Sequence, residues 1–272
     1  MAAYFEQRTS RAAVWSRRLA SFSLVLMLTS GFSHRYGLLE TKAFLAVFAL
    51  VALLALCALV LAGLAFSRVW RRGDRGGGDL AFGAIVALLV LAPFLLSAYR
   101  GFVYPQLNDI STDLDDPPAL AHAARLRNAD MNPIAPLTPE QKQLRLEKYP
   151  NVSGRRYDLP FALALDAVNA VLARNGWQAK GELPVAESRG EITIEALAYT
   201  TILAFPSDVA IRLTDEGAST YVDMRSASRY GGHDLGDNAA RIIGFLDELD
   251  VEIAAQADAM PVETPEEAPI PN

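Results

Sequence analysis

The residues best suited to chemistry lie in one glycine-rich segment, Ser226–Asp237, which joins the last predicted strand to the last predicted helix. Free backbone N–H groups at a helix N-terminus bind anions, and nearby arginines can add positive charge. Against this use, Asp234 and Asp237 stand where they would cap the helix and repel an anion. A structural loop with capping and Arg–Asp pairs is therefore the favoured alternative. The candidate anion-binding residues are Arg225, Ser226, Ser228, Arg229, His233 and Arg241.

A second segment, near the start of the soluble part, has some features of a calcium loop. Asp109–Asp115 places oxygen ligands at positions 1, 3, 5 and 7 of such a loop. Leu114 occupies position 6, which needs glycine, and Leu120 occupies position 12, which needs glutamate. A run of turns ahead of Pro117 is the better interpretation, so we predict no metal site.

A hydrolytic site can also be drawn in the glycine-rich segment, from His233, a nearby serine and Asp234. Neighbours on one turn rarely form a working triad, and the sequence contains no HExxH, GxSxG or SxxK motif. We therefore predict no catalytic residues and no cofactor. Enzymatic activity stays open at this point, with a non-enzymatic role favoured.

The elements that must position these residues fall into two parts of opposite charge. Residues 1–99 hold 10 basic and 4 acidic side chains, out of 25 and 31 in the chain, which is a balance of +6. The remaining residues hold 15 and 27, a balance of −12. A basic, very apolar third before an acidic two-thirds excludes a single soluble domain. The acidic part argues against nucleic acid as a partner, because nucleic-acid binding needs clustered Lys and Arg.

Three apolar runs predict three N-terminal transmembrane helices, at about residues 19–39, 43–66 and 80–98. The second and third contain charge-free stretches of 24 and 19 residues, and a spanning helix needs about 20 apolar residues. The first is weaker, because its charge-free stretch Leu19–Ser33 has 15 residues and is diluted by serine and threonine. An uncleaved signal anchor is favoured there over a cleaved signal peptide.

The arginines around these runs predict an orientation. One cluster lies within residues 8–18 and another within 68–75, whereas the connection between the first two helices carries only Arg35 and Lys42. By the positive-inside rule both clusters face the cytoplasm. The prediction is a multi-pass protein of the inner (plasma) membrane, with residues 1–18 cytoplasmic and residues 19–99 in the lipid bilayer. The C-terminal domain would then be periplasmic or extracellular.

The exported domain, residues 100–256, is predicted to be an α+β domain. Alternation of apolar and polar residues predicts an antiparallel sheet of about four strands with one buried face and one wet face. Two amphipathic helices, one starting after Asp158 and one at about Asn238–Ala255, would cover the buried face. The turn-rich stretch from Tyr104 to Pro150 would wrap the domain, and residues 257–272 would form a disordered acidic tail. The four strands are predicted within Trp177–Lys180, Glu191–Ala198, Asp208–Thr214 and Thr220–Ser226.

Several short sequence motifs of this domain resemble the bacterial domain-of-unknown-function 1499 family, over about Leu107–Leu249. The three preceding helices resemble those of the membrane-anchored members of that family. The sequence at Tyr230–His233 departs from the family's pattern, because Val-Gly-Arg-Ser or a similar motif is expected at these positions. Because the family is named for its unknown function, the resemblance implies fold and domain extent and no chemistry. The matching motifs are Leu107–Pro118, Tyr149–Pro150, Gly176–Trp177, Asp208–Arg212, Arg225–Arg229 and Asp234–Ile242.

These patterns lead to one function and one alternative. The first is an integral inner-membrane protein that presents an exported α+β domain for binding or for envelope assembly, with an envelope protein as partner. The alternative is a receptor for a small anionic ligand, or a hydrolase, that uses the Arg-rich loop Ser226–Asp237.

Overall fold

The structure is a computed structural model, and it describes residues 8–180 and 190–259. The chain forms two units, which we call the helical unit and the sheet unit. The helical unit lies within Met1–Gln106 and includes Thr200–Phe205, and the sheet unit comprises the rest of the chain. The predicted acidic tail lies outside the described residues, apart from the end of the last helix.

The helical unit contains three helices, α1 (Arg11–Arg35), α2 (Thr41–Arg72) and α3 (Gly77–Val103). Each of the three packs against the other two. Within the described residues, α2 and α3 are long and apolar enough to cross a membrane, and α1 does not meet that test. The prediction of three apolar spans is therefore corrected to two, because serines dilute the apolar content of α1.

The bounds of α1 also differ from the prediction. The helix begins eight residues earlier than expected, at Arg11, and it ends at Arg35 instead of continuing through Leu39. Residues 36–40 form the turn into α2. With 25 residues, α1 is about 37 Å long at 1.5 Å per residue. Its length is thus greater than its charge-free stretch indicated.

The interior of the helical unit is built from small residues. Three serines of α1 spaced seven residues apart, Ser16, Ser23 and Ser30, are buried, and each hydroxyl donates to a backbone carbonyl. The Ser16 hydroxyl reaches across to the carbonyl of Ala58 on α2, at 2.9 Å. Alanines of α2 face the same interior, so the helix backbones approach closely. Small, internally bonded side chains therefore set the spacing of the helices.

The segment Thr200–Phe205, which links two strands along the chain, packs with the helical unit. The carbonyl of Leu203 lies 2.6 Å from Nδ1 of His34, and the Arg35 guanidinium donates to carbonyls of the same segment. The Phe205 ring lies 5.3 Å from the His34 ring and 5.8 Å from the Phe44 ring. The side chain of Ile202 stays 81% exposed. The apolar character of this link, unusual for a hairpin tip, reflects these contacts.

Within the described residues, the sheet unit contains six antiparallel strands in the order β1-β6-β5-β4-β3, with β2 also paired to β6. The α+β class and the antiparallel sheet are confirmed, and the predicted number of about four strands is wrong. The two strands that were not predicted have three residues each, which is too short for alternation to be visible. The strands are β1 (Asp109–Ser111), β2 (Arg155–Tyr157), β3 (Gln178–Lys180), β4 (Glu191–Tyr199), β5 (Pro206–Asp215) and β6 (Thr220–Ser228).

Four helices accompany the sheet. The two long helices, α6 (Phe161–Arg174) and α7 (Asp237–Ala259), pack their apolar stripes on one face of the sheet, as predicted. The short helices α4 (Ala121–Leu126) and α5 (Pro139–Lys148) lie in the turn-rich stretch, close to the two helical turns predicted there. Leu120 and Ala123 pack against Ala210 and Ala227 on the opposite face of the sheet. That face was predicted to be wet, and it is instead covered by this stretch.

Replacement of Gly83 by alanine tests the close packing of the helices. An added Cβ at Gly83 would lie 2.4 Å from the hydroxyl oxygen of Ser16 and 2.9 Å from backbone atoms of α1, whereas one at Gly63 on α2 meets nothing within 4 Å. We expect Gly83→Ala to destabilise the full chain by about 1–3 kcal/mol, as overpacking does. Gly63→Ala should be neutral or stabilising by up to about 1 kcal/mol.

The measurement is denaturant unfolding of the full chain in detergent, followed by circular dichroism. Equal stability of the two variants would contradict the packing described for α1 and α3.

Candidate functional site

The register of the sheet sorts the predicted site residues onto two faces. Neighbouring residues of a strand point to opposite faces, so Arg225 and Ser226 of β6 lie on opposite sides of the sheet. Arg225 is paired in register with Ala210 and Ser111, and Ser226 with Val209 and Ile110. The first face is polar and lies under the turn-rich stretch, and the second faces α6 and α7. The six candidate residues therefore do not form one surface.

The polar face carries a buried set of ion pairs, which we call the Arg–Asp network. Asp208 is shared by two arginines, because both Arg127 and Arg229 donate to its carboxylate, at 2.8 and 2.6 Å. Its side chain is 4% exposed. The pairs of the network are Asp109–Arg225, Asp208–Arg127, Asp208–Arg229, Asp223–Arg212, Asp116–Arg212 and Asp113–Arg212.

The central pair of this network is a two-point contact between Arg212 and Asp223. Nε and one terminal nitrogen of Arg212 donate to the two carboxylate oxygens of Asp223, at 3.0 and 2.6 Å. The hydrogen bonds from Arg212 to Asp223 raise the pKa of the guanidinium, against the effect of burial. Burial raises the pKa of the Asp223 carboxyl, and the bonds from Arg212 oppose that rise. The pair is charged because each partner supplies the other's missing solvation.

The second sheet face ends in a smaller polar cluster at the start of α7. The Asn238 side chain bonds to the hydroxyls of Ser226 and Ser228, at 2.8 and 3.0 Å. The Arg241 guanidinium donates to two neutral oxygens, Oγ of Ser226 at 3.0 Å and Oδ1 of Asn238 at 2.7 Å. Burial lowers the pKa of Arg241. This cluster joins the last strand to the last helix.

The loop before α7 turns on a left-handed pair, Leu235 at φ 57° and Gly236 at φ 85°. The buried carboxylate of Asp234 accepts from the backbone N–H groups of Gly236 and Asn238, at 2.9 and 3.1 Å. Burial raises the pKa of Asp234, and these two hydrogen bonds oppose the rise. A carboxylate thus occupies the N–H groups that an anion would use, as the favoured alternative expects.

The six predicted residues all make contacts inside the protein. Arg225 and Arg229 donate to buried carboxylates, and Ser226, Ser228 and Arg241 belong to the cluster at α7. His233 accepts at Nδ1 from the N–H of Leu235, while its buried Nε2 makes no hydrogen bond to the described residues. Anion binding at these residues stays a prediction.

The acidic segment from Asp109 has two structural uses. Asp109 bonds to Arg225 through both carboxylate oxygens, at 3.0 and 2.7 Å. Oδ1 of Asp113 accepts from the N–H groups of Asp115 and Asp116, which forms the turn that the sequence favoured. Among the residues that the structure describes, no group of three or more His, Cys, Asp or Glu side chains is arranged to hold a metal ion.

Sequence reasoning missed three residues that organise the polar face, namely Arg127, Asp208 and Glu195. Glu195 was expected on a wet face, yet its carboxylate accepts from the N–H groups of His122 and Ala123 and caps α4. The sequence did contain one indication of their position. The alternation of side chains along β4 and β5 places Glu195 and Asp208 on the same sheet face as Arg225. Their partners in the turn-rich stretch are about 70–80 residues away in sequence, which no local pattern indicates.

The fold and this network define a small α+β domain that follows a pair of apolar helices in the chain. The model of the DUF1499 family, a protein family of unknown function, matches residues 109–249, just over half of the chain. The chain therefore belongs to the DUF1499 family.

Two further comparisons add little. No curated protein matches the chain. One similar solved structure is that of CalU16 from Micromonospora echinospora, with 20% identity over 39% of this chain and 76% of that chain. Its TM-score is 0.27, so it carries no argument about fold or function.

Replacement of Asp208 by alanine tests the Arg–Asp network. The change leaves Arg127 and Arg229 buried without their carboxylate, and breaking a buried pair in this way costs about 3–5 kcal/mol. A matched control is Glu216→Ala, which removes the partner of the exposed Arg156 and should leave the stability almost unchanged, because water screens exposed ion pairs.

Both variants are made in the full chain in detergent, and urea unfolding is followed by near-ultraviolet circular dichroism. A loss of less than 1 kcal/mol for Asp208→Ala would show that the polar face is solvated instead of buried.

Proposed function

We propose that the chain is an integral membrane protein that presents its DUF1499 domain outside the cytoplasm as a binding or envelope-assembly module. The membrane location is supported by the surface of the helical unit, which is apolar on the outside, in contrast to the polar surface of a soluble protein. Only 22% and 28% of the most apolar stretches of α2 and α3 are buried. Many large apolar side chains point outward from all three helices, and the interior is filled mainly by alanine, serine and valine, with Phe44 and Leu91 as larger buried side chains. Such a surface suits lipid and not water.

The same reasoning supports α1 as a third membrane span, although its composition is less apolar. Three of its five serines, Ser16, Ser23 and Ser30, are buried and bonded, so these three do not meet lipid. Its outward residues include Phe22, Val25, Leu28 and Phe32, all about half exposed. A 25-residue helix is longer than the roughly 30 Å hydrocarbon layer.

The orientation follows from where the arginines lie. The N–H of Ser10 donates to the carbonyl of Arg75 at 2.8 Å, and the N–H of Arg75 donates to the carbonyl of Arg8 at 3.0 Å. These bonds hold the arginine cluster at the start of α1 and the cluster at the end of α2 at the same end of the helical unit. The positive-inside rule then favours a cytoplasmic position for this end. Three spans would leave the DUF1499 domain periplasmic or extracellular.

A non-enzymatic role is supported by how the candidate residues are used. Their arginines and serines hold the covering stretch, the sheet and α7 together, and Asp234 caps the loop where an anion would bind. We therefore favour recognition of an envelope protein over catalysis.

Two fusions to the full chain test the topology. Green fluorescent protein at the N-terminus should fluoresce, because it folds in the cytoplasm, and alkaline phosphatase at the C-terminus should be active, because it needs export. The control is alkaline phosphatase inserted after Gly76, between α2 and α3, which should be inactive. A dark N-terminal fusion with an active C-terminal one would reduce the spans to two. An inactive C-terminal fusion would refute the exported domain.

The second candidate function is the anionic-ligand receptor or hydrolase, supported by Arg241. Its guanidinium bonds two neutral oxygens, and burial lowers its pKa against the opposing charges of Asp237 and Asp234, so a further anion brought close to it would be stabilised.

If this site binds anions, millimolar phosphate should raise the Tm of the full chain in detergent, and Arg241→Gln should abolish the rise. The control Arg174→Gln changes an exposed arginine and should keep it. The measured quantity is the difference in Tm with and without phosphate, which is independent of any loss of stability in the variant. Absence of a rise at millimolar phosphate would contradict the receptor.

A further inference from the structure

One end of the helical unit carries a dense, exposed positive charge, which we call the basic end. Residues 8–18 and 68–79 contribute eight arginines and two aspartates, a balance of +6. All eight arginines are exposed. They are Arg8, Arg11, Arg17, Arg18, Arg68, Arg71, Arg72 and Arg75.

The two segments that form the basic end, residues 8–18 and 68–79, are held together by backbone contacts. Besides the two backbone hydrogen bonds between the N-terminal segment and Arg75, Thr9 and Arg75 form a parallel bridge. Gly76 permits the close approach, since a Cβ there would lie 3.0 Å from Cβ of Ala13. The charges from two distant parts of the sequence therefore act on one small area.

Aromatic side chains lie at the same end. Trp15 and Trp70 are 53% and 80% exposed, and the Arg18 guanidinium lies 5.5 Å from the ring centre of Trp15. Arg17 stacks over Phe82 at 5.0 Å and pairs with Asp79 at 2.9 Å. Exposed tryptophans beside arginines at the end of apolar helices are typical of the level of lipid headgroups. The arginines are thus within reach of phosphate groups.

We propose that the basic end binds the phosphate groups of anionic phospholipids in the leaflet that it faces. Guanidinium groups bind phosphate oxygens through two parallel hydrogen bonds, and their charge favours lipids with net negative charge over zwitterionic ones. Each arginine close to an anionic membrane surface contributes about a fivefold gain in affinity. The inference rests on the proposed membrane insertion and adds a specific lipid class to it.

The test uses the three tryptophans of the chain and brominated lipids, which quench fluorescence at contact. The full chain is reconstituted into phosphatidylcholine vesicles that contain an equal fraction of either brominated phosphatidylglycerol or brominated phosphatidylcholine. Trp15 and Trp70 report on the basic end, and Trp177 belongs to the sheet unit. We expect an association constant for phosphatidylglycerol that exceeds that for phosphatidylcholine about fivefold or more.

The variant Arg71→Gln with Arg72→Gln removes two of the eight arginines and should lower this ratio severalfold. The matched control, Arg156→Gln with Arg174→Gln, removes two exposed arginines of the sheet unit and should leave the ratio unchanged. Inorganic phosphate at 10 mM should also leave it unchanged, because the lipid and not free phosphate is the proposed ligand.

The experiment distinguishes a failure of the proposed membrane insertion from a failure of the proposed lipid binding. If the helices do not insert, neither brominated lipid quenches Trp15 and Trp70. If they insert without lipid preference, both lipids quench equally, and the present proposal is overturned alone. Loss of the preference on addition of an RNA oligomer would likewise overturn it, since the basic end would then be a nucleic-acid contact.

Discussion

A polar group that leaves water must find its partner inside the protein, and both units of this chain are arranged around that constraint. In the sheet unit, Asp208 is buried on the polar sheet face and requires the guanidinium groups of Arg127 and Arg229. Because Arg127 follows α4, its bond holds the covering stretch on the sheet. In the helical unit, the serines of α1 meet the same constraint through backbone carbonyls. The network in one unit and the serines in the other therefore fix which elements pack together.

The sequence was informative where a repeating pattern was long enough to be read. The strands β4, β5 and β6 and the helices α6 and α7 have at least nine residues each, and alternation or a helical stripe located all five. The strands β1 and β2 have three residues each and pair with β6 only because the chain returns to it from far away. Short elements of this kind depend on long-range pairing, which a local pattern does not contain.

The candidate site shows a different limit. Adjacency along the chain grouped Arg225 with Ser226, whereas the period of a strand separates them onto opposite faces. That period was already used to predict β6, so the division of the candidates was available from the sequence. The covering of the polar face was not, because alternation shows that one face is apolar and leaves the surroundings of the other face undetermined. Only the contacts of Arg127, Asp116 and Asp109 reveal it.

The two units use arginine in opposite ways, and this contrast locates the contacts that the protein makes with its surroundings. The sheet unit is acidic overall, yet its buried arginines Arg212, Arg225 and Arg229 each bond a specific carboxylate. Their charges are neutralised within the fold and carry no information about a partner. At the basic end of the helical unit, eight exposed arginines share two aspartates. A surplus of exposed charge that the fold holds in place is stabilised by anions outside the protein, so the net charge of a segment is informative only after its internal ion pairs are known.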